Sequence, residues 1–143
     1  MISIDTNILI YSHRAKMPEH SRARKAMEQA ARNARGCGIA LPVVAEFLSV
    51  VTHPKSVGRP STVDEGWQFL SLLQQDMGLE IWNSREDFVP RFCRLATDLA
   101  VSGVRLFDLQ ISLMAFENGA TEMWTHDKSF VVVPGLRLHD PIS

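Results

Sequence analysis

Four carboxylates far apart along the chain, Asp5, Glu46, Asp108 and Asp127, stand where a carboxylate needs either a structural partner or a chemical task. Asp5 ends the short apolar run Met1-Ile2-Ser3-Ile4 and precedes Ile8-Leu9-Ile10-Tyr11, so a buried strand runs into a helix at this point. It either caps that helix, with Thr6 helping, or faces a ligand. Glu46 is surrounded by Val43, Val44, Ala45, Phe47, Leu48, Val50 and Val51, a setting that predicts a partly buried side chain, bridged to an arginine or reserved for chemistry. Asp108 is placed at the opening of a helix after Val104-Arg105-Leu106-Phe107, where it caps and meets the positive end of the helix dipole. Asp127 follows Thr125-His126 at the edge of a strand and suits a turn equally well.

Each acid has a bland reading, but together they fall after the first strand, in the early turns of the helix following the second, at a later helix start, and after the fourth strand. All four can meet at one edge of a sheet. Carboxylates drawn that close repel unless a cation sits among them, and an all-oxygen set selects a hard divalent ion, Mg²⁺ or Mn²⁺. Zinc is disfavoured, because His13, His20, His53, His126 and His139 show no paired spacing, and His126 reads as a surface side chain.

The elements that must position these acids alternate. After the first strand and helix, Ala23, Ala26, Met27, Ala30, Ala31 and Ala34 recur at helical spacing between Glu19 and Arg35, a narrow stripe suited to close packing. Gly36 and Gly38 are expected to stop that helix. Ile39-Ala40-Leu41 reads as a second strand, with Pro42 in the first turn of a helix reaching about His53. A loop holding Pro54, Gly58 and Pro60 leads to Thr62, a cap for the helix carrying Trp67, Phe69, Leu70, Leu72 and Leu73, which Gly78 ends. Leu79-Glu80-Ile81-Trp82 alternates like a strand, and Ser84 with Asp87 resembles an acidic capping box ahead of a helix through Phe88, Phe92, Leu95 and Leu99. A helix from Asp108 to Asn118, a strand Glu122-Met123-Trp124-Thr125, and a last edge strand from the Val131–Val133 and Leu136–Leu138 runs complete the series. The pattern predicts a single domain over residues 1–143, an α/β sandwich with a mostly parallel sheet covered on both faces, whose ligands bind beyond the strands' carboxyl ends.

Formal net charge is only −1, yet residues 1–60 hold nine Lys and Arg against four acids. Arg14, Lys16, Arg22 and Lys25 are therefore candidates to hold phosphates of a polyanion, although Glu28 lies four residues from both Arg24 and Arg32, the spacing of a solvated, self-paired face. Cys37 and Cys93 form neither a C-x-x-C pair nor a disulfide framework, as expected of a reduced, cytoplasmic protein. The N-terminus has no signal-peptide pattern, and no apolar run approaches the ~18 residues of a membrane span, so neither secretion nor a membrane association is expected.

With these residues in hand, the chain resembles the PIN-domain family, and within it the VapC toxins of bacterial toxin–antitoxin pairs. The likeness rests on Ile4-Asp5-Thr6-Asn7, on Glu46 in Pro42-Val43-Val44-Ala45-Glu46-Phe47, on Asp108-Leu109-Gln110-Ile111-Ser112, and on Gly119-Ala120-Thr121 leading to Thr125-His126-Asp127-Lys128-Ser129-Phe130. It implies a sheet ordered 3-2-1-4-5 and a cytoplasmic endoribonuclease acting on tRNA or rRNA. It also implies a homodimer neutralised by a VapB-type antitoxin. By motif, Asp5 and Asp108 would be the main metal ligands, Glu46 and Asp127 would complete the acidic site, and Thr6, Asn7 and Thr125 would support it. Leu109 replaces a residue that is often small, and His126 stands where an arginine is frequent.

The chemistry expected is in-line phosphodiester hydrolysis with one or two metals, Asp127 or Glu46 taking a proton from water. The first helix and the alanine stripe are the surfaces expected to receive an antitoxin helix. Two rival readings fit the same residues. One is a non-catalytic RNA-binding module; the other is a phosphohydrolase with Asp5 as covalent nucleophile, although Asn7 stands where that class needs a second carboxylate.

Overall fold

Strands of three or four residues suffice to set this fold's centre. In the computed structural model, which describes residues 1–143, β1 (Ile2–Ile4) is buried along its whole length, as a central strand covered on both faces must be. It runs directly into α1 (Thr6–His13), and then come α2 (His20–Ala31), β2 (Cys37–Ala40), α3 (Leu41–Val51), α4 (Val63–Met77), β3 (Glu80–Trp82), α5 (Phe88–Asp98), α6 (Arg105–Glu117), β4 (Glu122–Trp124) and β5 (Arg137–His139). The five strands lie in the order β3-β2-β1-β4-β5, every neighbouring pair parallel. The α/β sandwich and the strand order are as expected. Because α1 and α3 start at the carboxyl ends of the two central strands, that edge collects whatever stands at those junctions.

Packing explains several departures from the sequence reading. Gly38 does not stop α2; it lies in β2, where a Cβ would meet the Trp82 ring at 2.5 Å, so only glycine lets β3's indole lie flat on the strand. Leu41 is the first residue of α3 rather than the last of β2. Helix α4 opens with the capping box Thr62/Glu65 and closes on Gly78 in the left-handed region. Ser84 and Asp87 make no such box: Asp87 itself adopts φ +58, and α5 begins after it without a side-chain cap. Val131 to Val133 form no strand. Their chain must turn at Pro134-Gly135, Gly135 having φ +95, before β5 can pair from Arg137 onward.

The alanine stripe fulfils its packing role. Ala23, Ala26, Met27 and Ala30 are buried in the chain's own core, and α2 packs along α1. Ala23, Ala26 and Ala30 are therefore not a surface for an antitoxin helix, because the chain itself covers them; Met27 lines a groove shared with α4, and Ala34 lies exposed beyond the end of α2. No helix is long and apolar enough to cross a membrane.

Candidate active site

The carboxyl ends of β1 and β4 lie side by side, Ile4 facing Trp124 across the sheet. The backbone N–H of Asp5 donates to the Trp124 carbonyl, which fixes Asp5 beside Thr125. Asp5 is the N-cap of α1, its Oδ1 accepting from the Thr6 N–H at 2.7 Å. Its other oxygen accepts from the Thr125 hydroxyl at 2.6 Å. That hydroxyl in turn accepts from Asn7 Nδ2 and from the Asp127 N–H, each at 3.0 Å. Asn7 Oδ1 accepts the N–H of His126 at 3.2 Å. Thr6, Asn7 and Thr125 thus lace β1, α1 and the segment after β4 into one rigid platform.

The other acids arrive from two further elements. Glu46 stands on α3, and its Oε2 accepts from the Thr6 hydroxyl at 2.7 Å. Glu46 is exposed rather than partly buried as expected, because α3 buries only the stripe Val43, Phe47 and Val51 and leaves Leu41 and Val50 in solvent; of its two readings, the arginine bridge is not formed. Asp108 does not open its helix: α6 starts at Arg105 behind an uncapped Val104, so Asp108 lies in the first turn. Its Oδ2 receives a long contact, 3.5 Å, from the Val131 N–H. Asp127 Oδ1 accepts both the N–H and the hydroxyl of Ser129, at 2.9 and 2.7 Å, a turn-forming arrangement that coexists with the cleft.

All four acids line one open cleft of about 340 Å³, together with Thr6, Asn7 and Ser49, and neither lysine nor arginine is among its walls. The electrostatic consequence falls on Asp5. It is only 7% exposed, and burial pushes its carboxyl up to about 6 against the two hydrogen bonds that stabilise its anion, with Glu46 and Asp108 adding repulsion. Moving a carboxyl from 3.8 to about 6 costs the folded state on the order of 3 kcal/mol at neutral pH. Asp108 is also raised, first by burial and then by repulsion from Asp127 and Glu46, while the Val131 N–H and Arg105 oppose the rise. Oxygen-only donors and like charges in a cleft whose walls hold no lysine or arginine are what a hard divalent cation would relieve.

The fit is one of chemistry and position rather than of closed geometry. No three His, Cys, Asp or Glu side chains stand close enough to grip one ion together. Glu46 and Asp127 point their oxygens at Thr6 and Ser129, and both side chains are exposed. His126 is no free surface side chain: it lies edge-on to Tyr11, and its Nδ1 is 2.9 Å from Asp140 Oδ2. Sequence reasoning missed Ser129 and the Val131 N–H. The first is legible as an Asp-x-Ser turn, whereas the second depends on a loop folding back over α6.

Comparison with known proteins agrees with this fold. The PIN domain pattern matches residues 2–136. Ribonuclease VapC43 of Mycobacterium tuberculosis is 29% identical over 142 residues, which is 99% of this chain and 96% of its own. Ribonuclease VapC48 of the same organism is 23% identical over 141 residues, 99% of this chain and 97% of its own. The crystal structure of VapBC2 from Rickettsia felis, bound to a DNA fragment from its promoter, shares the fold with a TM-score of 0.68 at 23% identity, over 97% of this chain and 98% of that one. With a parallel sheet in this order and a pattern match over nearly its whole length, the chain belongs to the PIN-domain family.

Proposed function

We propose that this protein is a metal-dependent endoribonuclease that hydrolyses RNA phosphodiester bonds, the toxin of a toxin–antitoxin pair. The observation that carries the reading is the cleft itself: acids 41 to 122 residues distant from Asp5 line one depression without a cationic side chain. The ribonuclease names of full-length relatives support the choice of RNA. In this reading Asp5 and Asp108 would hold Mg²⁺ or Mn²⁺, with Glu46 and Asp127 completing the set. When bound, the cation would supply positive charge to the scissile phosphate and make a nearby water more acidic.

The remaining work falls to the chain. Thr125 and the Thr6 N–H hold Asp5 in one rotamer, so the deepest carboxylate is oriented before substrate arrives. Glu46 and Asp127, the two exposed acids, are placed to take the proton of the attacking water and release it to solvent. Asp5 itself is a poor covalent nucleophile, since both its oxygens are engaged and it is almost fully buried.

An antitoxin of VapB type would find a groove of about 310 Å³ between α2 and α4, walled by Met27, Phe69, Leu72, Leu73 and Met77 and edged by Arg24, Glu28 and Asp76. Its apolar floor and charged rim suit an amphipathic helix. A second copy of the chain would cover the exposed Val89, Val104, Phe107 and Phe116 of α5, α6 and the turn before α6, which gives the homodimer. Incubation of purified protein with total tRNA and rRNA, with Mg²⁺ or with a chelator, tests the enzyme reading. Cleavage should require the metal and vanish in Asp5→Asn with its fold retained; RNA bound but left intact by the parent protein would make it a binding module instead.

A further inference from the structure

The acidic cleft does not end at Glu46. Ser49 and Val50, one turn further along α3, line that cleft and also a second depression of about 360 Å³ whose other walls are His53, Lys55 and Ser56. Ser56 Oγ accepts from Arg14 at 2.9 Å, and Arg14 lines a third depression of about 270 Å³ with Lys16, Val57, Gly58 and Arg59. Lys16 lies along Gly58, its Cδ 3.5 Å from where a Cβ would be. The three depressions form one run over the carboxyl end of α3.

Charge reverses along this run. Beyond Glu46 the only acid among the walls is Glu65, which is already paired with Arg59 at 2.8 Å. Lys16 and Lys55 are exposed and enter no ion pair. The Lys55 N–H donates to His53 Nδ1 at 3.0 Å, so the neutral ring carries its proton on Nε2 as a further donor. No Phe, Tyr or Trp lines either basic depression, so bases find no stacking platform there and the ligand is recognised through its charge. Arg14 serves differently: its guanidinium is spent on the Val51 and Arg59 carbonyls and on Ser56, which makes it the positioning residue for the loop that carries Lys55 and Arg59.

We propose, resting on the reading that the cleft cleaves RNA, that a single RNA strand leaves the cleft over Ser49 and Val50 and lays its backbone phosphates on His53, Lys55, Lys16 and Arg59. Of the basic residues singled out in the sequence, this assigns Lys16 to the substrate and Arg14 to its support. It leaves out Arg22, whose guanidinium donates to the Ile142 carbonyl, and Lys25, which lines none of the three depressions.

The test measures binding of a labelled oligouridylate to Asp108→Asn protein, which holds the strand without cutting it, across a range of salt. Lys16→Ala and Lys55→Ala should each weaken binding several-fold and flatten the slope of log K against log salt by about 0.7, the share of one single-strand phosphate contact. Arg35→Ala, an exposed charge just ahead of β2 at the sheet's opposite edge, should change neither quantity. Unmoved slopes in both lysine variants, an equal loss in the arginine control, or no binding at all would overturn the proposal. Cleavage by the parent, assayed in parallel, separates the two readings. A parent that cuts RNA while the slopes stay put removes only the strand path, and slopes that flatten in a parent unable to cut remove only the nuclease.

Discussion

The two ends of α1 place a buried carboxylate and a half-buried guanidinium in opposite company. At its start Asp5 shares its surroundings with three further carboxylates and no cation, and its carboxyl is pushed up to about 6. Just past its end, Arg14 donates to the Arg59 carbonyl at 2.6 Å, to Ser56 at 2.9 Å and to the Val51 carbonyl in the last turn of α3, where a cation also meets the negative end of that helix's dipole. One end is matched by complementary acceptors, with only the Arg14 Nε left without a partner; the other accumulates repulsion that the fold tolerates. Buried groups that serve structure are matched with opposite partners, and a site that concentrates like charge is reserved for something the chain does not itself supply.

Removing one charge from each end should break that contrast most visibly. Asp108→Asn should lower RNA cleavage on the order of 10³-fold, the scale of losing a charge-stabilising group in a phosphoryl-transfer site. Its fold should not suffer. The folded state raises the Asp108 carboxyl, so it favours the neutral form, and the unfavourable contribution is absent at acid pH and complete once pH exceeds the folded value. An uncharged amide removes it, and the thermal midpoint at pH 7 should hold or rise. A midpoint several degrees lower would mean that Asp108 is structural. Arg14→Ala should show the converse, losing about 3 kcal/mol in chemical denaturation because three acceptors are left behind. A loss below about 1 kcal/mol would mean that water replaces the guanidinium without cost.

What the sequence discloses follows the same division. Asp5 and Asp127 are legible because strand ends are marked by where an apolar run stops, and the residues that follow decide the turn. The apolar neighbours of Glu46 predict partial burial, but α3 shows solvent Leu41 and Val50, and only the tertiary packing of Val43, Phe47 and Val51 chooses its inner stripe. The start of α6 lies three residues earlier than expected because Gly103, at φ +65, redirects the chain and Val104 begins the helix without any polar cap to announce it. The Val131–Val133 run has the composition of a strand, yet its neighbours Pro134 and Gly135 require a turn. Contacts made by folding back, such as the Val131 N–H on Asp108, leave no local signature at all.

A metal titration sharpens the acidic end by a smaller margin. A proton on Asp5 and a cation in the cleft compete for the same oxygens, so Mg²⁺ affinity by calorimetry should be level above pH 7 and fall about tenfold for each pH step of one below about 6. At saturating Mg²⁺, a hundred times its dissociation constant, the fold should gain about 2.7 kcal/mol. Asp108→Asn should show little of either effect. Affinity that is flat down to pH 4 would place the ion away from Asp5.

The smallest effect tests the complementary end where it meets solvent. Thr62 caps α4 by accepting the Glu65 N–H at 3.1 Å, and Glu65 returns the bond to the Thr62 N–H at 3.0 Å while pairing with Arg59. These contacts are exposed, so water competes for each and the ion pair adds little beyond the cap. Thr62→Ala should cost about 1 kcal/mol, the ordinary worth of an N-cap hydroxyl. Ser84→Ala, at the box that the sequence suggested and the fold does not form, should cost within about 0.5 kcal/mol of nothing. Equal losses at both positions, measured by urea denaturation, would mean that Ser84 caps α5 after all. A Thr62 loss as large as that of Arg14 would show that pairing at this end stabilises as much in water as in the interior, and the distinction between the two ends of α1 would then rest on charge alone and not on burial.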